Sequence, residues 1–407
     1  MANDRNHPPS TDPIHPADRQ TYDLIICGAG SVGLLSGLLA ISLGFRTLIV
    51  EKHTSSYKHS RSIGIHPPSL QILSNMGILD RFLEHGMVIT RGIAMENRDK
   101  HLGVLDFSTL PEPFNYILTV PQWKTEDILE EQIRHKNPEA IARGWTLTDL
   151  DHSENGSISV TIQSGNGDKV PLHAKYVMAC DGKNSTVRRL VQIPFSGSPY
   201  RHRYAMGDFD DNTRFKSNAV VFLSPKGLVE CFPLPGNLRR WVVQQDPAKP
   251  VNGTADLTST IQNRTGFLPP SSTCAMFSEF GVERYVTDHF WKGRLIIAGD
   301  AAHVISPIGG QGMNLGWINA TDAVHTIRKI KDSRQGMEAE MDDYNQRVQK
   351  RTHSVMRQAE FNMSLSSRQP FASFRNFWVK VLLHSPAQTF LKKRFTMQRH
   401  MEQKSRI

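Results

Sequence analysis

Residues 22–52, YDLIICGAGSVGLLSGLLAISLGFRTLIVEK, restrict the fold more than any other stretch of the chain. An apolar run ends in Gly28, Gly30 and Gly33, spaced G-x-G-x-x-G; an apolar helical stretch follows, and a second apolar run ends in Glu51. The pattern predicts a buried strand over Leu24–Cys27, a helix, and a second strand over Thr47–Val50. Three absent side chains permit a tight turn, close approach of backbone to a pyrophosphate, and close packing of helix on strand. The helix N-terminus offers unpaired N–H groups to the phosphates. Glu51 lies 23 positions after Gly28, at the strand tip, where its carboxylate can accept hydrogen bonds from ribose hydroxyls. A dinucleotide site in an open α/β sheet follows, with FAD and NAD both still admissible.

A later stretch decides between them. In RLIIAGDAAHVISPIGGQGMNLG, Arg294–Ala298 reads as another buried strand, with Gly299 and Asp300 at its carboxyl end. Ligands of such sheets bind at that end. Gly309, Gly310 and Gly312 keep the next loop thin enough for a flat ring to lie against backbone. A helix should begin around Met313, with Leu315, Ile318, Val324 and Ile327 on its buried side. Two contact regions so far apart in the chain call for a long dinucleotide with a planar end, which is FAD.

At this point the chain resembles the class A flavoprotein monooxygenases, the para-hydroxybenzoate hydroxylase type, over roughly residues 21 to 330. The resemblance rests on GAGSVG with Glu51, on DGKNSTVRR at 181–189, and on GDAAHVISPIGGQGMNLG, in the family's order. Two lesser stretches agree: RSIGIHPPSLQILSNMGILD, carrying Arg61, and VPQWKTEDILEEQI, carrying Gln122. The resemblance implies FAD, with NADPH or NADH as cosubstrate, O2, and an aromatic, quinone-like or polycyclic substrate hydroxylated or epoxidised through a flavin C4a-hydroperoxide. It also implies roles. Gly28, Gly30, Ser31, Val32, Gly33, Glu51 and Lys52 would hold the adenosine and pyrophosphate, and Arg61 the phosphates. Gln122 would lie beside the flavin, Asp181 would fix the cofactor-side loop, and Arg188 would assist FAD and NAD(P)H. Gly299 and Asp300 would hold the ribityl–pyrophosphate region; Pro307, Gly312, Met313 and Asn314 would line the isoalloxazine. No side chain is assigned a catalytic role, because the flavin carries the chemistry. His66 and His303 read as packed loop residues. A reductase of the geranylgeranyl type and a flavin-binding protein without turnover share the fold and stay open as alternatives.

The implied architecture is an α/β fold: a Rossmann-like FAD-binding domain of the glutathione reductase type over 21–199 and 286–370, and an inserted, mainly β substrate domain over 200–285. Residues 1–20, polar and proline-rich, read as a disordered tail and not a secretion signal. Within AVVFLSPKGLVECFPLPGNLRRWVVQQ, turn signals separate alternating strands, and Phe222, Phe232 and Trp241 are candidates for facing the substrate or for sheet core. The four cysteines are scattered without a CxxC pair, so neither a zinc site nor a disulfide framework is expected, and the thiols suit a reducing, cytoplasmic compartment. No apolar run is long enough to span a bilayer.

The net charge of +9 is concentrated: residues 371–407 hold eight Lys/Arg against one acid, a net +7, which leaves +2 for the other 370 residues. No nucleic-acid partner is expected from so neutral a body. In the same segment Phe371, Phe374, Phe377, Trp378, Val381 and Leu382 recur at helical spacing. Two readings stay open: this stripe docks on the FAD-binding domain with its basic residues solvated, or it forms an interfacial helix for peripheral contact with an anionic membrane.

Overall fold

The computed structural model describes residues 21–56, 62–152, 156–246, 248–330, 336–366 and 372–401. Arg61 and Phe371 lie outside them. The first sheet has a parallel centre in the order Leu295–Ile297, Lys169–Ala179, Tyr22–Cys27, Thr47–Glu51, Ile141–Arg143. Ile158–Ser164 and Trp145–His152 extend it as an antiparallel branch from Lys169–Ala179. A parallel sheet covered on both faces needs uninterrupted apolar strands. Leu24, Ile25 and Ile26 with Val177, Met178 and Ala179 meet that demand, all fully buried. The helices Ser31–Ser42, Gln122–Lys136 and Gly312–Ile330 pack together over the sheet, and Leu315, Ile318, Val324 and Ile327 are buried as the spacing predicts.

The register brings three distant motifs to one edge. Cys27 pairs with Ala179, and Ala179 with Ile297. The Cys180 N–H donates to the Cys27 carbonyl at 2.8 Å and the Ala298 N–H to the Ala179 carbonyl at 2.9 Å. The Gly28 turn, the Asp181 loop and the Gly299–Asp300 loop therefore leave neighbouring strands side by side.

The second sheet runs His303–Val304, Met276–Thr287, Phe195–Asp210, Leu238–Gln244, Gly227–Leu234, Ala219–Ser224, Arg91–Met95, His101–Asp106. It is not confined to 200–285, because Arg91–Met95 pairs in parallel with Ala219–Ser224 and brings His101–Asp106 with it. Period-2 alternation gives the sheet two different faces. Phe222 and Trp241, 0% and 1% exposed, stack with centroids 6.1 Å apart beneath the helix Thr254–Thr265. They belong to that core and do not line the cavity described below. Phe232, Glu230, Arg240 and Val242 lie on the opposite face.

The C-terminal segment also departs from expectation. The helix Ala372–Leu383 docks, but on the edge of the second sheet, and by its polar side. Buried Arg375 donates to the Leu223 carbonyl at 2.7 Å, and buried Asn376 donates to Glu96 at 2.6 Å. The aromatic stripe points outward, with Phe374, Phe377 and Trp378 exposed by 64%, 58% and 49%. The periodicity identified the apolar face, but the first of the two readings, that this face docks on the FAD-binding domain, is not what the structure shows. The following helix, Gln388–Phe395, continues along the same edge, where Lys392 Nζ donates to Thr109 Oγ1 at 2.9 Å.

Candidate cofactor and substrate site

Close approaches explain two of the three turn glycines. A Cβ on Gly28, whose φ is +102°, would sit 2.4 Å from the Cys180 carbonyl oxygen, and one on Gly33 would sit 1.9 Å from the Gly28 oxygen. Gly30 is different: a Cβ there would meet nothing within 4 Å. Its missing side chain leaves open space before the N-terminus of Ser31–Ser42, which is the room an approaching phosphate needs. Glu51 is held against this turn, accepting from the Ala29 N–H at 2.7 Å through one oxygen and the His53 N–H at 2.9 Å through the other. Lys52 beside it is exposed. Glu126 was not foreseen: its carboxylate accepts from the Ser31 N–H at 3.2 Å and from Gln122 Nε2 at 2.9 Å, and burial pushes its pKa upward. Little in the sequence marks it, since Glu126 is one of four acids on the amphipathic helix Gln122–Lys136.

In the second loop, Asp181 Oδ2 accepts from the N–H groups of Thr186 at 2.7 Å and Val187 at 3.2 Å, while Ser185 Oγ caps Arg188 N–H at 3.0 Å. This fixes the loop as the motif predicts. Asp181 Oδ1 is buried without a partner among the described residues, an acceptor position free for a ligand donor. Arg188 requires a correction. Its guanidinium donates to the Ala301 carbonyl at 2.6 Å and the Lys183 carbonyl at 2.8 Å and lies over Phe195. A buried fork so committed ties the second and third loops together, and Arg188 does not line the cavity described below.

In the third loop, Asp300 stands exposed beside Gly299 at the mouth of a cavity of about 570 Å³. Gly30, Ser31, Val32, Gln122, Pro307, Gly312 and Met313 line the same cavity. Asn314 is corrected as well. It is fully buried, accepts from the His66 N–H at 2.8 Å and donates to the Gly64 and Gly310 carbonyls, each at 2.8 Å. It braces the glycine loop from behind.

The far wall of the cavity is the inner face of the second sheet, including Met206, Val221, Phe232 and Val242, with Phe107 and Phe395 at one end. Phe395, from the C-terminal segment, stacks on Phe107 with centroids 5.9 Å apart. Polar side chains here are mostly committed. Arg240 is clamped bidentately by Asp208 at 2.7 and 2.8 Å, and Lys183 pairs with Glu283. Burial lowers the His66 pKa to about 4, so its ring is neutral at physiological pH. His303 is buried against Asn319 and does not line the cavity. The open space at Gly30, the unpartnered Asp181 oxygen and a cavity bordered by thin backbone together fit an extended dinucleotide ending in a planar ring.

A family model described as an FAD binding domain matches residues 21–359. The chain belongs to this family. Rifampicin monooxygenase of Streptomyces venezuelae is 32% identical over 306 residues, covering 72% of this chain and 61% of its own. Pentachlorophenol 4-monooxygenase of Sphingobium chlorophenolicum is 27% identical over 328 residues, covering 76% and 59%. The chain thus spans about three fifths of the length of these curated relatives. The crystal structure of p-nitrophenol 4-monooxygenase PnpA from Pseudomonas putida superposes with a TM-score of 0.81 at 20% identity, covering 92% of this chain and 98% of that one. That likeness establishes a shared fold.

Proposed function

We propose that this FAD-family protein is an NAD(P)H- and O2-dependent monooxygenase acting on an aromatic or polycyclic compound. The supporting observation is the convergence of three loops on one cavity whose opposite wall is apolar sheet. When bound, FAD supplies the redox chemistry and oxygen activation. The chain's own residues would bind, orient and exclude water. Glu51 would take the adenosine ribose and the Ser31–Ser42 N-terminus the pyrophosphate. The N–H groups at Gly312 and Met313, opening the helix Gly312–Ile330, would stabilise negative charge on the ring. Asp300 would hold the ribityl region, Asp181 would accept a hydrogen bond from the cofactor, and Phe232 and Phe395 would pack against the substrate ring. The relatives named as rifampicin and pentachlorophenol monooxygenases favour a ring substrate.

Oxygen incorporation distinguishes this reading from the reductase alternative. Purified protein should be yellow, and a panel of phenols, quinones and polyketides should stimulate NAD(P)H oxidation with isotopic oxygen appearing in product. Substrate reduction under nitrogen, with no oxygen incorporated, would establish the reductase instead.

The outward stripe supports a second proposal, peripheral docking on an anionic membrane. The C-terminal segment that carries exposed Phe374, Phe377 and Trp378 also carries exposed Lys380 and Arg399 and half-buried Lys393 and Arg394, the combination that suits a charged lipid interface. No helix among the described residues is long and apolar enough to cross a membrane. Serine at all three aromatic positions should abolish co-sedimentation with anionic vesicles; equal sedimentation of both forms, or none for the native chain at low salt, refutes the docking.

A further inference from the structure

The cavity contains one acid that nothing in the fold explains. Glu230 sits in the strand Gly227–Leu234, only 6% exposed, and makes no hydrogen bond or ion pair among the described residues. Its cross-strand neighbours are Val221 on one side and Val242 on the other, and all three line the cavity. Burying a carboxyl among valines without a partner is costly, and an apolar residue would pack better there. Burial alone pushes its pKa up, to about 7. The nearest diagonal cation, Arg240, is already neutralised by Asp208. The other charged or titratable groups bordering the space are the Lys183–Glu283 pair, His66, Asp300 and Cys180, whose thiol pKa is pushed up by burial so that it stays protonated.

We infer that Glu230 is the substrate-orienting acceptor of this cavity, taking a hydrogen bond from the hydroxyl of an uncharged phenolic or enolic ring, and that the cavity discriminates against ring carboxylates. The inference rests on the cavity being the substrate site proposed above. Its chemistry is direct. A hydroxyl donor satisfies the orphaned acid, and donating that hydrogen bond raises electron density on the substrate oxygen and so on the ring that is to be attacked. A ring carboxylate would place a second acid beside Glu230 in the same apolar wall, with no uncommitted arginine to offset its charge. Sites built to bond a hydroxyl reject analogues lacking it, because the buried polar group is then left unpaired.

The test uses the FAD-loaded protein and its Glu230→Gln and Glu230→Leu variants. Binding is read from perturbation of the flavin spectrum by phenols, by their methyl ethers, and by hydroxybenzoates. The native protein should bind phenols about tenfold or more tightly than either other group. Glu230→Leu should erase that preference, and Glu230→Gln should keep part of it. Both variants should retain FAD and unfold at higher temperature than the native protein, the reverse of what a structural role produces. Native preference for carboxylates, or a Leu variant with an unchanged profile, overturns the inference. Failure of any of the compounds to perturb the flavin of FAD-loaded native protein would instead count against the cavity as substrate site.

Discussion

Replacing Glu230 by glutamine should remove one pH-dependent contribution to stability, and the size of the effect follows from burial. Glu230 is raised by desolvation from its ordinary 4.5 to about 7. Between those values the unfolded chain has released this proton and the folded protein still holds it, so stability falls as pH rises through that window. The span of 2.5 units, at 1.36 kcal/mol each, comes to about 3 kcal/mol, fully expressed above pH 7 and absent below 4.5. Buried His66, His303 and His400, each lowered from 6.5 to about 4, act with the opposite sign, losing stability as pH falls below 6.5. They are common to both proteins and cancel in the difference. Urea unfolding of FAD-saturated native and Glu230→Gln protein, from about pH 4 to about pH 8, should therefore give a stability difference that grows by about 3 kcal/mol in favour of the variant. A difference that stays constant across the range would mean that the carboxyl is solvated or paired in the folded protein, and the desolvation argument would fail.

Three further outcomes can be stated. Asp300→Ala should weaken FAD retention, measured by flavin absorbance after gel filtration, while leaving the far-ultraviolet dichroism unchanged. Gly28→Ala should lose both fold and cofactor, because its Cβ would collide with the Cys180 carbonyl at a positive φ; a yellow, native-like variant would refute that geometry. Trp241→Ala should cost about 3–5 kcal/mol of stability yet spare ligand binding in the folded fraction. Phe232→Ala should do the reverse, and a common effect of both on binding titrations would show that the two faces of the sheet are not separate.

The cofactor half of the molecule was legible in the sequence because its requirements are local. A glycine turn between strand and helix, an acid at a strand tip and a glycine loop before a helix each need fixed residue types at fixed spacing, and Gly28, Gly33, Glu51 and Asp181 stand where those rules place them. Arg188 and Asn314 stood in the same motifs, but a side chain that can reach several partners is placed by whatever packs around it, and both were taken up by carbonyls of neighbouring loops. The second sheet shows the limit most clearly. Alternation separates Phe222 and Trp241 from Glu230 and Phe232, yet only the docking of Thr254–Thr265 on one side and of the glycine loop on the other decides which set meets the cavity. The C-terminal helix is the same case, its apolar face known from spacing and its outward direction decided by Arg375 and Asn376 finding partners on the sheet edge. Spacing along the chain defines a face; contacts between segments remote in sequence decide what that face touches.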